Sequence, residues 1–163
     1  MIEHKTMTQR EIHINYQEFK SVDEMLPEDR ELAAEAVKAM EGAYAPYSHY
    51  HVGAAVRMSN GQIVRGANQE NAAFPSGLCA ERTAMFAAGA RYPDKDMQSI
   101  ALAGGVMGRL GSQPATPCGA CRQVMAQYQA KSGKPMSVIM VSSEKIWKFD
   151  KVDDILPLIF DGI

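Results

Sequence analysis

The chain has 163 residues, 46% of them apolar and 22% charged, with 17 basic residues against 19 acidic ones. Those values suit one domain with a real core and exclude a largely disordered chain. The formal charge of −2 and the lack of any basic run make nucleic acid an unexpected partner. The apolar runs are too short to cross a bilayer, so no membrane partner is expected either.

Residues 1–26 read as an N-terminal extension, followed by one folded domain over 27–163. The extension has no apolar stretch of signal-peptide length. Within it, Glu11–Tyr16 alternates weakly, as an edge strand or an irregular segment would. Pro27 then opens a helix, with Glu28, Asp29 and Glu31 suited to the positive end of its dipole. Leu32, Ala36, Val37 and Met40 give it one apolar face, and Gly42 and Pro46 mark its end. Val52, Ala54, Val56 and Met58 alternate as a strand, and Ile63-Val64 lies in a second. Asn60-Gly61 between them is a hairpin signal, because both residues accept positive φ.

A loop over 68–78, punctuated by Pro75 and Gly77, leads to a buried, alanine-rich helix from Cys79 to about Ala90. Ser99–Val106 reads as a strand, and 107–117, with two Gly and two Pro, as a loop. A helix over 118–130, strands at 136–142 and 145–149, and a short helix near Val152 complete the series. Alternating helices and strands predict an α/β fold, with about five strands in a mixed sheet between helices as three layers.

All three cysteines fall in two motifs, Cys79-Ala80-Glu81 and Pro117-Cys118-Gly119-Ala120-Cys121. An odd count with two of them in a CxxC argues against a secreted disulfide framework and for a reducing cytoplasm. Cys118 and Cys121 are an i, i+3 pair at a helix start and can turn both sulfurs to one ion. Cys79 also heads a predicted helix. If the two helix starts meet, their dipoles favour thiolates. Three thiolates fill three corners of a zinc tetrahedron and leave the fourth for water, whereas a structural site normally closes with four ligands.

Glu81 is then where a proton shuttle is wanted, and Arg82 beside it can donate to a ligand sulfur and offset excess negative charge. The competing readings are a redox CxxC, which leaves Cys79 unexplained, and a closed zinc knuckle, which lacks a fourth Cys. His49 or His51 would have to supply that ligand.

The chain resembles the small cytidine deaminases along residues 27–160. The matching segments occur in that family's order: Tyr47-Ser48-His49-Tyr50-His51-Val52-Gly53-Ala54-Ala55, Gly66-Ala67-Asn68-Gln69-Glu70-Asn71-Ala72, Cys79-Ala80-Glu81-Arg82-Thr83-Ala84, Pro117-Cys118-Gly119-Ala120-Cys121-Arg122-Gln123 and Leu156-Pro157-Leu158-Ile159-Phe160. The Cys-x-Glu and Pro-Cys-x-x-Cys pair is that of zinc deaminases, whose Glu is not a ligand.

The resemblance implies the cytidine deaminase fold and hydrolysis of cytidine and 2′-deoxycytidine to uridine and 2′-deoxyuridine, with release of ammonia. It also implies one Zn²⁺ per subunit on Cys79, Cys118 and Cys121, and Glu81 as acid and base. Asn68 and Glu70 would hold the ribose, Tyr50 would lie near the pyrimidine, and the backbone of Ala80 with the carbonyl of Thr116 or Pro117 would hold the base edge. A homotetramer is implied, with active sites at subunit contacts and Phe160 reaching a neighbour's site. Three positions depart from the family: Tyr50 stands where many relatives have Phe, His51 where many have Pro, and Phe74 where Tyr is common, removing a hydroxyl at a subunit boundary. Two other readings are a deaminase of a modified cytosine nucleoside, such as an aminoacyl-nucleoside antibiotic, and a non-enzymatic zinc-stabilised binding module.

Overall fold

The computed structural model describes residues 7–161. The first six residues of the expected extension, and 162–163 of the expected 27–163 domain, lie outside the described residues. The elements are β1 (Gln17–Phe19), α1 (Pro27–Ala39), β2 (Tyr50–Met58), β3 (Ile63–Ala67), α2 (Ala80–Arg91), β4 (Met97–Val106), α3 (Gly119–Ser132), β5 (Ser137–Val141) and β6 (Ile146–Phe149). They form one mixed sheet in the order β1-β6-β5-β4-β2-β3. Only β4 and β5 are parallel neighbours. A parallel pair needs a crossover connection, which α3 supplies.

The sheet has six strands, one more than the sequence suggests. The added strand is β1, whose three residues Gln17, Glu18 and Phe19 pair with Lys148, Trp147 and Ile146. So short a strand has no readable period, and its partner lies near the other end of the chain. The weakly alternating Glu11–Tyr16 stays outside the sheet. Tyr16 instead stacks on Phe149 at 5.2 Å and meets Trp147 edge-on at 5.7 Å. The expected last helix is a single 3₁₀ turn, Val152–Asp154.

Alternation along the strands divides the core in two, because successive side chains point to opposite faces. On one face, Leu32, Ala33 and Ala36 of α1 pack on Ala55, Ala101 and Ile139. On the other, Ala84 and Met85 of α2 and Met125 of α3 pack on Ala54, Val56, Leu102 and Val138. The three-layer α/β/α architecture is therefore as expected.

The β2–β3 hairpin follows the Asn60-Gly61 signal, with one difference. Only Gly61 is left-handed, at φ 82°. Asn60 keeps negative φ and caps the turn, its Oδ1 accepting from Gln62 N at 3.2 Å. The Met58 N–H reaches the Gln62 carbonyl (2.9 Å), so the loop holds an extra residue and needs only one left-handed position.

Three ion pairs join α1 to the sheet, Glu31–Arg57, Glu35–Arg65 and Asp29–Lys148, and the last is the most buried. Lys148 Nζ donates to Asp29 Oδ2 at 2.6 Å, with only 15% and 9% of the two side chains exposed. Truncating Asp29 strands a buried ammonium, so Asp29→Ala is expected to cost about 3 kcal/mol of stability. Urea denaturation of the variant measures this, and an unchanged midpoint would show that water reaches the pair freely.

Candidate active site

Two helix starts meet at the site. Cys79 is the N-cap of α2 and Cys118 the N-cap of α3. Neither uses its side chain to cap, which leaves both sulfurs free to face each other. Gly66 on β3 sets how closely α2 approaches, since a Cβ there would run into the Ala84 backbone and the Ala80 carbonyl. The Cys79 and Cys118 sulfurs lie 3.8 Å apart, and those of Cys118 and Cys121 lie 3.5 Å apart. All three fall within 4.8 Å of one another.

These spacings suit one tetrahedral ion, because sulfurs at about 2.3 Å from zinc lie about 3.8 Å from each other. Among the described residues the group contains these three thiols and no histidine. Neither His49 nor His51 therefore closes it. Arg82 adds a second sign of negative charge at this point. Its Nη2 lies 3.7 Å from Cys79 Sγ, while its Nε is buried without a partner. A half-buried guanidinium lying against a sulfur cluster is suited to thiolates, and the donor set fits Zn²⁺.

The electrostatics already favour one thiolate. The Cys79 thiol is drawn down to about 5, chiefly by a hydrogen bond from Cys121, with help from Arg82 and Cys118 against its own burial. Cys121 is pushed up by that same bond and by burial. Glu81 is only 4% exposed, and its carboxyl is raised above the usual range, first by desolvation and then by the Cys79 charge. A carboxyl that holds its proton more readily, next to a metal site, is suited to both giving and taking protons.

Glu81 lines a cavity of about 250 Å³ together with Tyr50, Asn68, Cys79, Ala80, Thr116 and Cys118. Val52, Leu102 and Ala115 complete its wall. These three carry no chemical signal in the sequence, where they look like ordinary strand or loop positions. An adjoining cavity of about 270 Å³ holds Glu70, Phe74 and Arg82 and shares Asn68 and Cys79 with the first.

Asn68 and Glu70 also organise the wall between the cavities. Asn68 Oδ1 accepts from Val52 N (2.8 Å) and its Nδ2 donates to the Tyr50 carbonyl (2.9 Å), leaving one donor and one acceptor position spare. Glu70 accepts from Tyr47 N (2.9 Å), Ser48 N (3.2 Å) and the Ser48 hydroxyl. The Ser48 bond, then that of Tyr47, holds its carboxyl below the ordinary glutamate value. Two strained turns meet here: His49, before Tyr50, has φ 56°, and Met107, just after β4, has φ 55°, and Met107 N donates to the His49 carbonyl at 2.8 Å. Backbone held in this region points to a turn fixed by its surroundings, and here it delivers Tyr50 to the cavity.

Phe160 lines neither cavity. It is 70% exposed, and its backbone is held by Gln123 of α3. Phe74 is 77% exposed and meets Tyr47 edge-on at 6.2 Å.

Three clustered thiols with a buried carboxyl alongside fit an open, hydrolytic metal centre in an α/β/α domain. Residues 26–134 match the family model of the cytidine and deoxycytidylate deaminase zinc-binding region, and the chain belongs to that family. It is 48% identical over 98 residues to a cytidine deaminase of Halalkalibacterium halodurans, covering 59% of this chain and 68% of that one. It is 44% identical over 97 residues to a cytidine deaminase of Sporosarcina psychrophila, covering 60% and 67% respectively. The crystal structure of cytidine deaminase from Burkholderia pseudomallei superposes with a TM-score of 0.65 at 35% identity, over 83% of this chain and all of that one. That from Mycobacterium tuberculosis also gives 0.65, at 28% identity over 85% of this chain and all of that one.

Proposed function

We propose that this protein hydrolyses cytidine and 2′-deoxycytidine to uridine and 2′-deoxyuridine, releasing ammonia, as an enzyme of pyrimidine salvage. The observation that carries this reading is the placement of Glu81, buried beside three clustered sulfurs in a cavity that opens onto Asn68 and Glu70. Cys79, Cys118 and Cys121 would hold one zinc ion per subunit, and Arg82 would temper their charge. When bound there, the ion supplies a Lewis acid that makes water a nucleophile at neutral pH.

Glu81 then carries the protons. Its carboxylate takes one from the attacking water and delivers it to ring N3, which makes C4 more electrophilic. The same group passes the second water proton to the leaving amine, so the base of one step is the acid of the next. Water and cytidine thus leave as uridine and ammonia, with Glu81 restored. The backbone of Ala80 and the carbonyl of Thr116 or Pro117 would hold the base edge, with Tyr50 beside the ring. Asn68, through its spare donor and acceptor, and the ionised Glu70 would take the sugar hydroxyls in the second cavity.

Two adjoining cavities that share Asn68 and Cys79 support a ligand with two parts, a base and a sugar. We assign 27–163 as the catalytic domain and 1–26 as an extension. No helix among the described residues is long and apolar enough to cross a membrane. Three free thiols support a reducing, cytoplasmic setting. Exposed Phe74, Leu158 and Phe160 support burial against further copies of the chain, in a homotetramer with active sites at subunit contacts.

An ultraviolet assay of the zinc-loaded protein tests the reading. The ultraviolet bands of cytidine and 2′-deoxycytidine are expected to shift to those of the uracil nucleosides, whereas free cytosine, which makes no sugar contact, is expected to react far more slowly. Unchanged nucleoside would overturn the proposed reaction. Equal rates on cytosine and cytidine would remove Asn68 and Glu70 from substrate binding.

A further inference from the structure

The C-terminal segment has a fixed backbone and exposed apolar side chains. Gln123 Nε2 donates to the Phe160 carbonyl (2.8 Å), and Gln123 Oε1 accepts from the Phe160 N–H (3.1 Å). One amide side chain thus pairs with both polar groups of one residue. Arg122, the preceding residue on α3, grips the start of the same segment. Its Nη1 donates to the Ile155 carbonyl (3.0 Å), while its Nε donates to the Pro117 carbonyl next to Cys118 (2.8 Å). The segment is therefore tied at two points to the helix whose first turn bears Cys118 and Cys121. Yet Leu158 and Phe160 are 79% and 70% exposed. An aromatic held by its own backbone, yet 70% exposed, has been ordered with little gain in burial within this subunit.

We propose that Gln123 is a positioning residue. It fixes the Phe160 backbone at a set place relative to the metal-bearing helix, so that the Phe160 ring is presented to the nucleoside site of a neighbouring subunit. This rests on the proposed reading of Phe160 as a contact in trans. Gln123 touches neither cavity and takes no part in proton transfer, so its loss acts on nucleoside affinity and leaves the chemical step alone. The geometry also sets what a substitute must do. Glutamate at 123 could accept from the Phe160 N–H but would face the Phe160 carbonyl with a second acceptor.

Gln123→Ala, Phe160→Ala and the double variant, all zinc-loaded, test the proposal through KM, kcat, zinc content and hydrogen exchange of the C-terminal peptide. Loss of the two hydrogen bonds is expected to raise KM for cytidine by about tenfold in Gln123→Ala. The turnover number and zinc content are expected to hold, and exchange in the C-terminal peptide to accelerate. The double variant is expected to match Phe160→Ala, because both changes remove one contact. Gln123→Glu is expected to raise KM as well.

Additive effects in the double variant would overturn the proposal, as would unaltered peptide exchange in Gln123→Ala or a loss of zinc with kcat. If Phe160→Ala leaves KM unchanged in an active enzyme, the contact in trans is wrong and the positioning role falls with it. A wild-type protein that leaves cytidine intact would overturn the proposed reaction itself, a result separate from any of these.

Discussion

Glu81→Gln is expected to lower turnover of cytidine by about 10²–10⁴-fold while the protein keeps its zinc. The amide has nearly the shape of the carboxylate, and Glu81 is not among the three clustered thiols, so neither the cavity nor the donor set should change. What is lost is a group that can take each of the two water protons in turn and pass it on. The site makes that group unusual. Glu81 is 4% exposed, and burial followed by the Cys79 charge pushes its carboxyl up, which raises its readiness to carry a proton without removing its ability to ionise. The variant should bind nucleoside about as well as the parent, so the loss should appear in kcat. Activity within a few-fold of the parent, at equal zinc content, would assign the proton transfers to another group.

Stripping the metal is expected to abolish turnover, and one equivalent of Zn²⁺ per subunit to restore it. Without the ion, the Cys79 thiol is drawn down to about 5, whereas Cys121 holds its proton above the usual range. Thiol groups beside a raised carboxyl have no means of making water nucleophilic at neutral pH. Cys121→Ala should give the same loss and resist rescue by added zinc, because two sulfurs cannot hold the ion in the remaining geometry. Cys121 is fully buried, so circular dichroism of that variant is needed to show that the fold persists. Activity that survives in metal-free protein would end the zinc assignment.

Local signals carried much of the reading. Pro27 and the apolar spacing behind it mark α1, and alternation marks β2. The Cys118–Cys121 spacing puts two sulfurs on one helical turn whatever the rest of the chain does. Each is a property of neighbouring residues, set by helix or strand geometry. The zinc deaminase chemistry of Glu81 and the ordered motifs around it came instead from the family resemblance.

Contacts between distant segments were decided by the tertiary structure. The pairing of β1 with β6 joins residues 17–19 to 146–148, and no local pattern encodes a partner that far away. Val52, Leu102 and Ala115 became walls of the cavity only when the hairpin, β4 and the loop before α3 came together. Asn68 and Glu70 proved to be ties to the Tyr47–Val52 backbone as well as lining residues, and Phe160 lay away from its own subunit's cavities in the grip of Gln123.

The sequence by itself determined which thiols and which carboxyl are candidates and how they are spaced within each motif, because these are covalent facts read along a few residues. The tertiary structure decided that Cys79 meets Cys118, that Glu81 is dry, and that two cavities share one wall. Those follow from packing two helices against one face of a twisted sheet, where burial and charge depend on what folding brings alongside.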